Sequence, residues 1–248
     1  RGWYDRAMRK LVNLFVRVLN RILSPAGWQL QRRGANDEFP GLAELPSMRL
    51  VIDIGVAHGT PTLYHHFRDA RLILFECNPE YYPGIEKKIL NTRDAVLHKH
   101  ALGAEDLDAV NLNVNGEKSS MLERTRLTNP ALQEFPVVTV PQKRLDSVLE
   151  ADSIPRPALL KIDTEGYELE VLKGASGILD HIDYVITETS VLRRFNNSYA
   201  FEEIVNLMQA RGFKVREILS APHDQDGRIR HVDLLFEHGQ ASDSVLST

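Results

Sequence analysis

Cys77 is the only cysteine in 248 residues. It excludes an intramolecular disulfide and any zinc site that needs several thiolates. The nine histidines offer no H-x-x-x-H pair, so the usual helical metal spacing is missing too. No apolar run reaches bilayer-spanning length, and an integral membrane protein is not expected. No small-residue cleavage site follows an apolar core near the N-terminus, so no secretory signal is expected. The chain opens on Arg1 instead of Met, and residue 1 is not expected to be the native start. Aromatic residues are sparse at 7%, and 15 Gly with 12 Pro are too few for a collagen-like or low-complexity chain. What remains, 43% hydrophobic and 26% charged, suits one sizeable core or at most two small ones.

Charge is unevenly placed. Residues 1–33 hold eight basic side chains against Asp5, about +7, which leaves about −11 on the other 215 residues. An acidic body argues against nucleic-acid binding, which wants a basic face on the folded domain. Within the basic end, Tyr4, Met8, Leu11, Val12, Phe15, Leu19, Ile22 and Leu23 recur on one helical face, with Arg6, Arg9, Lys10, Arg17 and Arg21 off it. Pro25 and Gly27 end the pattern. Two roles fit this basic amphipathic helix. It can pack through residues 3–23 on its own domain or on a second copy, or it can lie on an anionic membrane surface. A cytoplasmic protein, peripheral on the inner membrane surface in the second case, is the corresponding expectation.

Residues 34–47 are polar and broken by Gly34, Pro40, Gly41 and Pro46, as in a linker or wrapping segment. From residue 48 to 238 strands and helices alternate. The predicted strands are Met48–Ile54, Arg71–Glu76, Ala95–Ala101, Val110–Val114, Val137–Val140, Ala158–Asp163, Tyr184–Glu188, Phe213–Ile218 and His231–Phe236. Helices are predicted over Pro61–Arg68, Pro79–Asn91, Leu145–Glu150, Tyr167–Leu179 and Phe201–Arg211. Residues 239–248 read as a flexible tail. Apolar, unalternated strands between helices imply an α/β domain with a mostly parallel, Rossmann-like sheet covered on both faces. Such sheets bind ligands at the carboxyl ends of their strands.

Those strand ends carry the chemistry. After the first strand stands Asp53-Ile54-Gly55-Val56-Ala57-His58-Gly59, which lacks the G-x-G-x-x-G spacing of a dinucleotide dehydrogenase. A carboxylate at Asp53 suits a ligand with a cationic head; a tight strand–helix turn needing glycine accounts for Gly55 and Gly59 equally well. The second strand ends in Glu76, about 20 residues beyond the glycine loop, where an acid can accept both hydroxyls of an adenosine ribose. Ala101 and Leu102 after the third strand are small and apolar enough to border an adenine ring. Lys161, Asp163, Glu165 and Glu168 crowd the end of a later strand, and Glu188 ends the next. Acids in a first helical turn answer the helix dipole, which accounts for Glu165 and Glu168 but not for Asp163. The polar insertion 115–134 has the length of a lid or binding loop, and its Ser119 and Ser120 are candidates to reach a ligand.

Taken together these stretches resemble FkbM-type S-adenosylmethionine-dependent methyltransferases. The resemblance runs over roughly residues 48–220: V-I-D-I-G-V-A-H-G (51–59), L-F-E-C-N-P (74–79), H-A-L-G (100–103), S-S-M-L (119–122), L-L-K-I-D-T-E-G-Y-E (159–168), V-L-K-G-A (171–175) and I-T-E (186–188). Val56 and Ala57 replace the family's usual Ala-Asn pair, and Cys77 stands where Pro is common. The resemblance implies a seven-stranded sheet with its last strand antiparallel and S-adenosyl-L-methionine as cofactor. It also implies O-methylation of a small-molecule, glycan or lipid-linked hydroxyl. Cofactor-binding candidates are Asp53, Gly55, Ala57, Gly59, Glu76, Cys77, Ala101, Leu102, Ser120 and Asp163. Asp163 is the first choice to orient or deprotonate the acceptor, ahead of Glu165, Glu188 and Lys161. A divalent metal between Asp163 and Glu188 is conceivable but not expected, because a full ligand set is missing. The rival readings are an NAD(P)-dependent oxidoreductase and a catalytically idle methyltransferase-like module held at membranes by the N-terminal helix.

Overall fold

The computed structural model describes residues 39–241 except 132 and 225. The expected amphipathic helix over 3–23, and the tail beyond 241, lie outside the described residues.

Seven strands form the main sheet in the order β3-β2-β1-β7-β8-β10-β9. These are β1 (Leu50–Ile54), β2 (Arg71–Phe75), β3 (Ala95–His98), β7 (Ala158–Ile162), β8 (Tyr184–Ser190), β9 (Phe213–Ser220) and β10 (His231–His238). The pairs β1–β2, β1–β7, β2–β3 and β7–β8 are parallel, whereas β10 runs antiparallel to both β8 and β9. This is a Rossmann-like, mostly parallel sheet, with the last strand reversed as expected. Its two central strands, β1 and β7, are buried along their whole length. Buried apolar residues fill both faces: Ile52, Leu160, Leu172 and Ile204 on one, Val51, Leu63, Leu159 and Leu235 on the other. That two-sided burial is why the strands read as continuous apolar runs.

Helices α1 (Pro61–His66), α2 (Tyr82–Ile85), α3 (Leu145–Val148), α4 (Glu168–Gly174) and α5 (Phe201–Ala210) are shorter than the sequence pattern suggests. The predicted helix Pro79–Asn91 breaks into a 3-10 turn, a single α turn and a π turn over Glu86–Leu90. Among the described residues no helix is long and apolar enough to cross a membrane.

Three differences from the sequence expectation bear on the site. The predicted strand Ala95–Ala101 is two strands, because β4 (Ala101–Leu102) leaves the main sheet. It pairs with Gln142 and Lys143 of β6 (Val137–Lys143), which pairs in turn with β5 (Leu107–Asn113). The expected linker 34–47 is structured from Phe39 onward: Phe39, Leu42, Leu45 and Met48 are buried in the main core around a 3-10 turn, Pro40–Glu44. At the other end, residues 239–241 make a helical turn, and Ala241 is buried in the same core cluster instead of fraying.

Candidate active site

The carboxyl ends of β1, β2 and β7 open together, and the small sheet with its insertion closes the side. Between them lies an open cleft of about 580 Å³. Gly55, Ala57, Glu76, Cys77, Ala101, Leu102, Ser120 and Asp163 all line it. Of the cofactor-binding candidates, only Asp53 and Gly59 do not.

Glu76 is the best-defined group in the cleft. It follows β2, is almost fully buried, and accepts Ala57 N–H on Oε2 and Asn78 N–H on Oε1, both at 2.7 Å. Burial raises its pKa, and those amide bonds pull the other way. Ala57 can point its N–H inward because it takes a left-handed conformation (φ +44°), between Gly55 (φ +78°) and Gly59 (φ +94°). Beyond Glu76 the lining is apolar: Phe75, Ala101, Leu102, Leu112 and Met121. Cys77 lies beside it, its thiol pushed up to about 12 by burial and by the Glu76 charge. Such a thiol is inert as a nucleophile at neutral pH and serves as an apolar wall.

Gly55 fixes the two central loops against each other. A Cβ there would lie 1.9 Å from the Asp163 carbonyl oxygen, so only glycine allows the first loop to touch the one after β7. Asp163 itself follows β7 with its side chain 42% exposed, 3.5 Å from Lys161 Nζ.

Asp53 and Lys161 depart from their expected roles. They are register partners on β1 and β7, and their side chains meet with Lys161 Nζ 3.3 Å from Asp53 Oδ1. Asp53 is fully buried and also accepts Thr60 Oγ1–H at 3.0 Å and Tyr64 O–H at 2.5 Å. It therefore faces the protein interior, not a ligand's cationic head. Burial disfavours the Lys161 ammonium, but Asp53 and Asp163 outweigh it and hold its pKa above the usual lysine value. Lys161 is a buried counter-ion, not a proton acceptor. Gly59 packs against Tyr64 and Ile89 behind the loop.

Glu165 and Glu188 lie in a buried charge cluster beside Asp163. Arg194 bonds Glu188 Oε1 and stands 3.5 Å from Glu165 Oε2, while Arg124 approaches the same Glu165 oxygen at 3.4 Å. His231 Nε2 is 3.2 Å from Glu188 Oε2. Burial raises the pKa of both carboxylates; the arginines oppose this, and Asp163 reinforces it. Burial, then the Arg194 charge, lowers the His231 imidazole to about 4, so it is neutral beside Glu188 at ordinary pH. With Arg194 already on Glu188, a divalent cation bridging Asp163 and Glu188 does not fit.

Sequence reasoning missed Arg124, Arg194, His231 and Tyr199. Glu168, read as a helix-start acid, is instead wholly buried. It accepts Thr164 N–H, Gly166 N–H and, at 2.6 Å, Tyr199 O–H, which pins the loop carrying Asp163 and Glu165. Ser120 does reach the site, donating its hydroxyl to Glu165 O at 2.7 Å. Ser119 borders the cleft but donates to its own turn at Gly116 O. The usable signal for the missed cations was charge balance: several acids at adjacent buried strand ends require guanidinium partners nearby.

The Methyltransferase FkbM domain matches residues 53–215, about two thirds of the chain. The chain belongs to the FkbM methyltransferase family. This FkbM protein is 25% identical over 197 residues to Methyltransferase 1 of Beauveria bassiana, covering 72% of this chain and 78% of that one. It is 28% identical over 209 residues to Methyltransferase sdnD of Sordaria araneosa, covering 72% and 79%. A shorter stretch, 43 residues at 44% identity, aligns with the hexuronic acid methyltransferase AglP of Haloferax volcanii and covers 17% and 18%. Membership places the FkbM chain among methyltransferases, not nicotinamide oxidoreductases.

Proposed function

We propose that this FkbM chain transfers the methyl group of S-adenosylmethionine to a hydroxyl oxygen of a sugar, glycan, lipid-linked or natural-product acceptor. Glu76 carries the reading. It is a buried carboxylate at the second strand end, held rigid by two amides and bordering a cleft that is apolar on its far side. That donor set fits adenosine, with the ribose hydroxyls on Glu76 and the base between Ala101, Leu102, Leu112 and Met121. Bound S-adenosylmethionine supplies an electrophilic methyl carbon on a sulfonium.

The protein's own task is then alignment and proton handling. Among the acids at the strand ends that border the cleft, Asp163 is neither sealed in the interior nor clamped by arginine. Its carboxylate can accept the acceptor's O–H, orient the oxygen, and take the proton as the new C–O bond forms. Lys161 beneath it, 3.5 Å away, helps hold that carboxylate in place. Glu165 and Glu188, neutralised by Arg124 and Arg194, position the surrounding wall. The AglP alignment supports the sugar option among the acceptor classes.

The test is methyl transfer from tritiated S-adenosylmethionine to a panel of hydroxyl acceptors, alongside calorimetry with S-adenosylhomocysteine. Label appearing as a methyl ether supports the reading. Label on nitrogen overturns the oxygen assignment, and cofactor binding without transfer to any acceptor makes the chain an idle module.

A further inference from the structure

A second cavity lies on the other side of the insertion. With the space open to solvent it measures about 1030 Å³, and it shares only Ser120 with the cofactor cleft just described. Ser120 borders both spaces; Met121 lines the cleft and Leu122 lines the cavity, so this one segment is the partition. Arg124 also borders the cavity while reaching Glu165, two residues from Asp163.

The lining of the cavity is unlike that of the cleft. Asn115 and Asn196 present side-chain amides that make no hydrogen bond among the described residues. Lys118, Glu123 and Glu134 line it without an ion pair among the described residues. Phe135, half-buried, supplies an aromatic surface. Amides, which donate and accept at once, together with carboxylates and an aromatic face, match a ligand that carries many hydroxyls on an apolar ring. Glu123 and Glu134 are matched by Lys118 and Arg124, so the lining carries no net charge and suits a neutral ligand. Its fillable space, about 460 Å³, is that of a small-ligand pocket.

We propose that this cavity is a saccharide subsite. It holds a neutral sugar unit adjoining the one that is methylated, so that the natural acceptor is an oligosaccharide of two or more units. The proposal rests on the O-methyltransferase reading and narrows its acceptor. Asn115 and Asn196 bond the hydroxyls of the distal sugar, Phe135 packs on its ring, and the next sugar reaches past Ser120 to Asp163.

The experiment screens the full chain on an array of neutral di- to tetrasaccharides of hexoses and deoxyhexoses, then measures the best binder by calorimetry. The expected result is binding of a subset, weakened at least tenfold by Phe135→Ala and at least tenfold by Asn196→Ala. Affinity for S-adenosylhomocysteine, whose cleft contains neither residue, reports that each variant is folded. Asn196 is exposed, so its variant decides the matter if Phe135→Ala does not fold. The proposal is overturned if no oligosaccharide binds, or if both variants bind as the parent does. Glycan binding through these residues without S-adenosylhomocysteine binding would instead defeat the methyl-transfer reading and leave the subsite standing. Methyl transfer to hydroxyls with glycan affinity indifferent to both substitutions would do the reverse.

Discussion

Lys161 and Asp53 face each other in register on the two central strands, 3.3 Å apart and shut away from solvent. Removing one partner of such a pair leaves a bare charge in the core, at a cost of about 3–5 kcal/mol. Lys161→Met should therefore lower unfolding free energy by about that amount in denaturant titrations. The double variant with Asp53→Asn should recover part of the loss. A Lys161→Met protein of parental stability but without turnover would return lysine to the catalytic group.

For Glu76 the expected effect is on binding. Glu76→Ala removes a carboxylate that accepts hydrogen bonds in the cleft, and S-adenosylhomocysteine affinity should fall by about 1.5–3 kcal/mol in calorimetry. Unchanged affinity would remove Glu76 from the site.

Asp163→Asn keeps the shape and the contact surface but not the charge. Turnover should drop by about 10²–10⁴, the range for a positioned proton acceptor, with cofactor affinity changing far less. A variant with near-parental turnover would show that the proton leaves by another route.

Acid sensitivity is expected from His231. Its imidazole titrates at about 4 in the fold against about 6.5 in an unfolded chain, chiefly through burial. Between those values the unfolded chain binds more protons, so its share of stability is complete above about pH 6.5 and is lost as pH falls towards 4. Melting temperatures from pH 7.5 to 4 should decline less steeply in His231→Gln than in the parent. An NMR titration placing the His231 midpoint near 6.5 would contradict the burial argument.

The regular part of the architecture could be read directly from the chain. Leu50–Ile54 and Ala158–Ile162 are apolar runs with turn residues behind them, and that local pattern is sufficient to place them as central strands. Glu76 and Asp163 could be found for the same reason, since each sits at the end of its own strand. What stayed hidden depends on distant pairing. Nothing local separates Ala101–Leu102 from Ala95–His98; the separation comes from Gln142 and Lys143, some forty residues on. Likewise Asp53 reads as ligand-facing until Tyr64, Thr60 and Lys161 converge on it, and Arg194 is an ordinary loop arginine until Glu188 and Glu165 are folded beside it.

The smaller sheet is thinly anchored. Its own core consists of Ala101, Leu112 and Val140, against the dozens of buried side chains that hold the seven-stranded sheet. Local opening free energy follows such burial, so amides of β5 and β6 should exchange with deuterium well before those of β1 and β7. Leu102, Leu112 and Met121 border the cleft from this side. One wall of the cleft can thus breathe while its floor stays folded, which gives a bulky ligand a way in and out that leaves the strand ends holding Glu76 and Asp163 undisturbed.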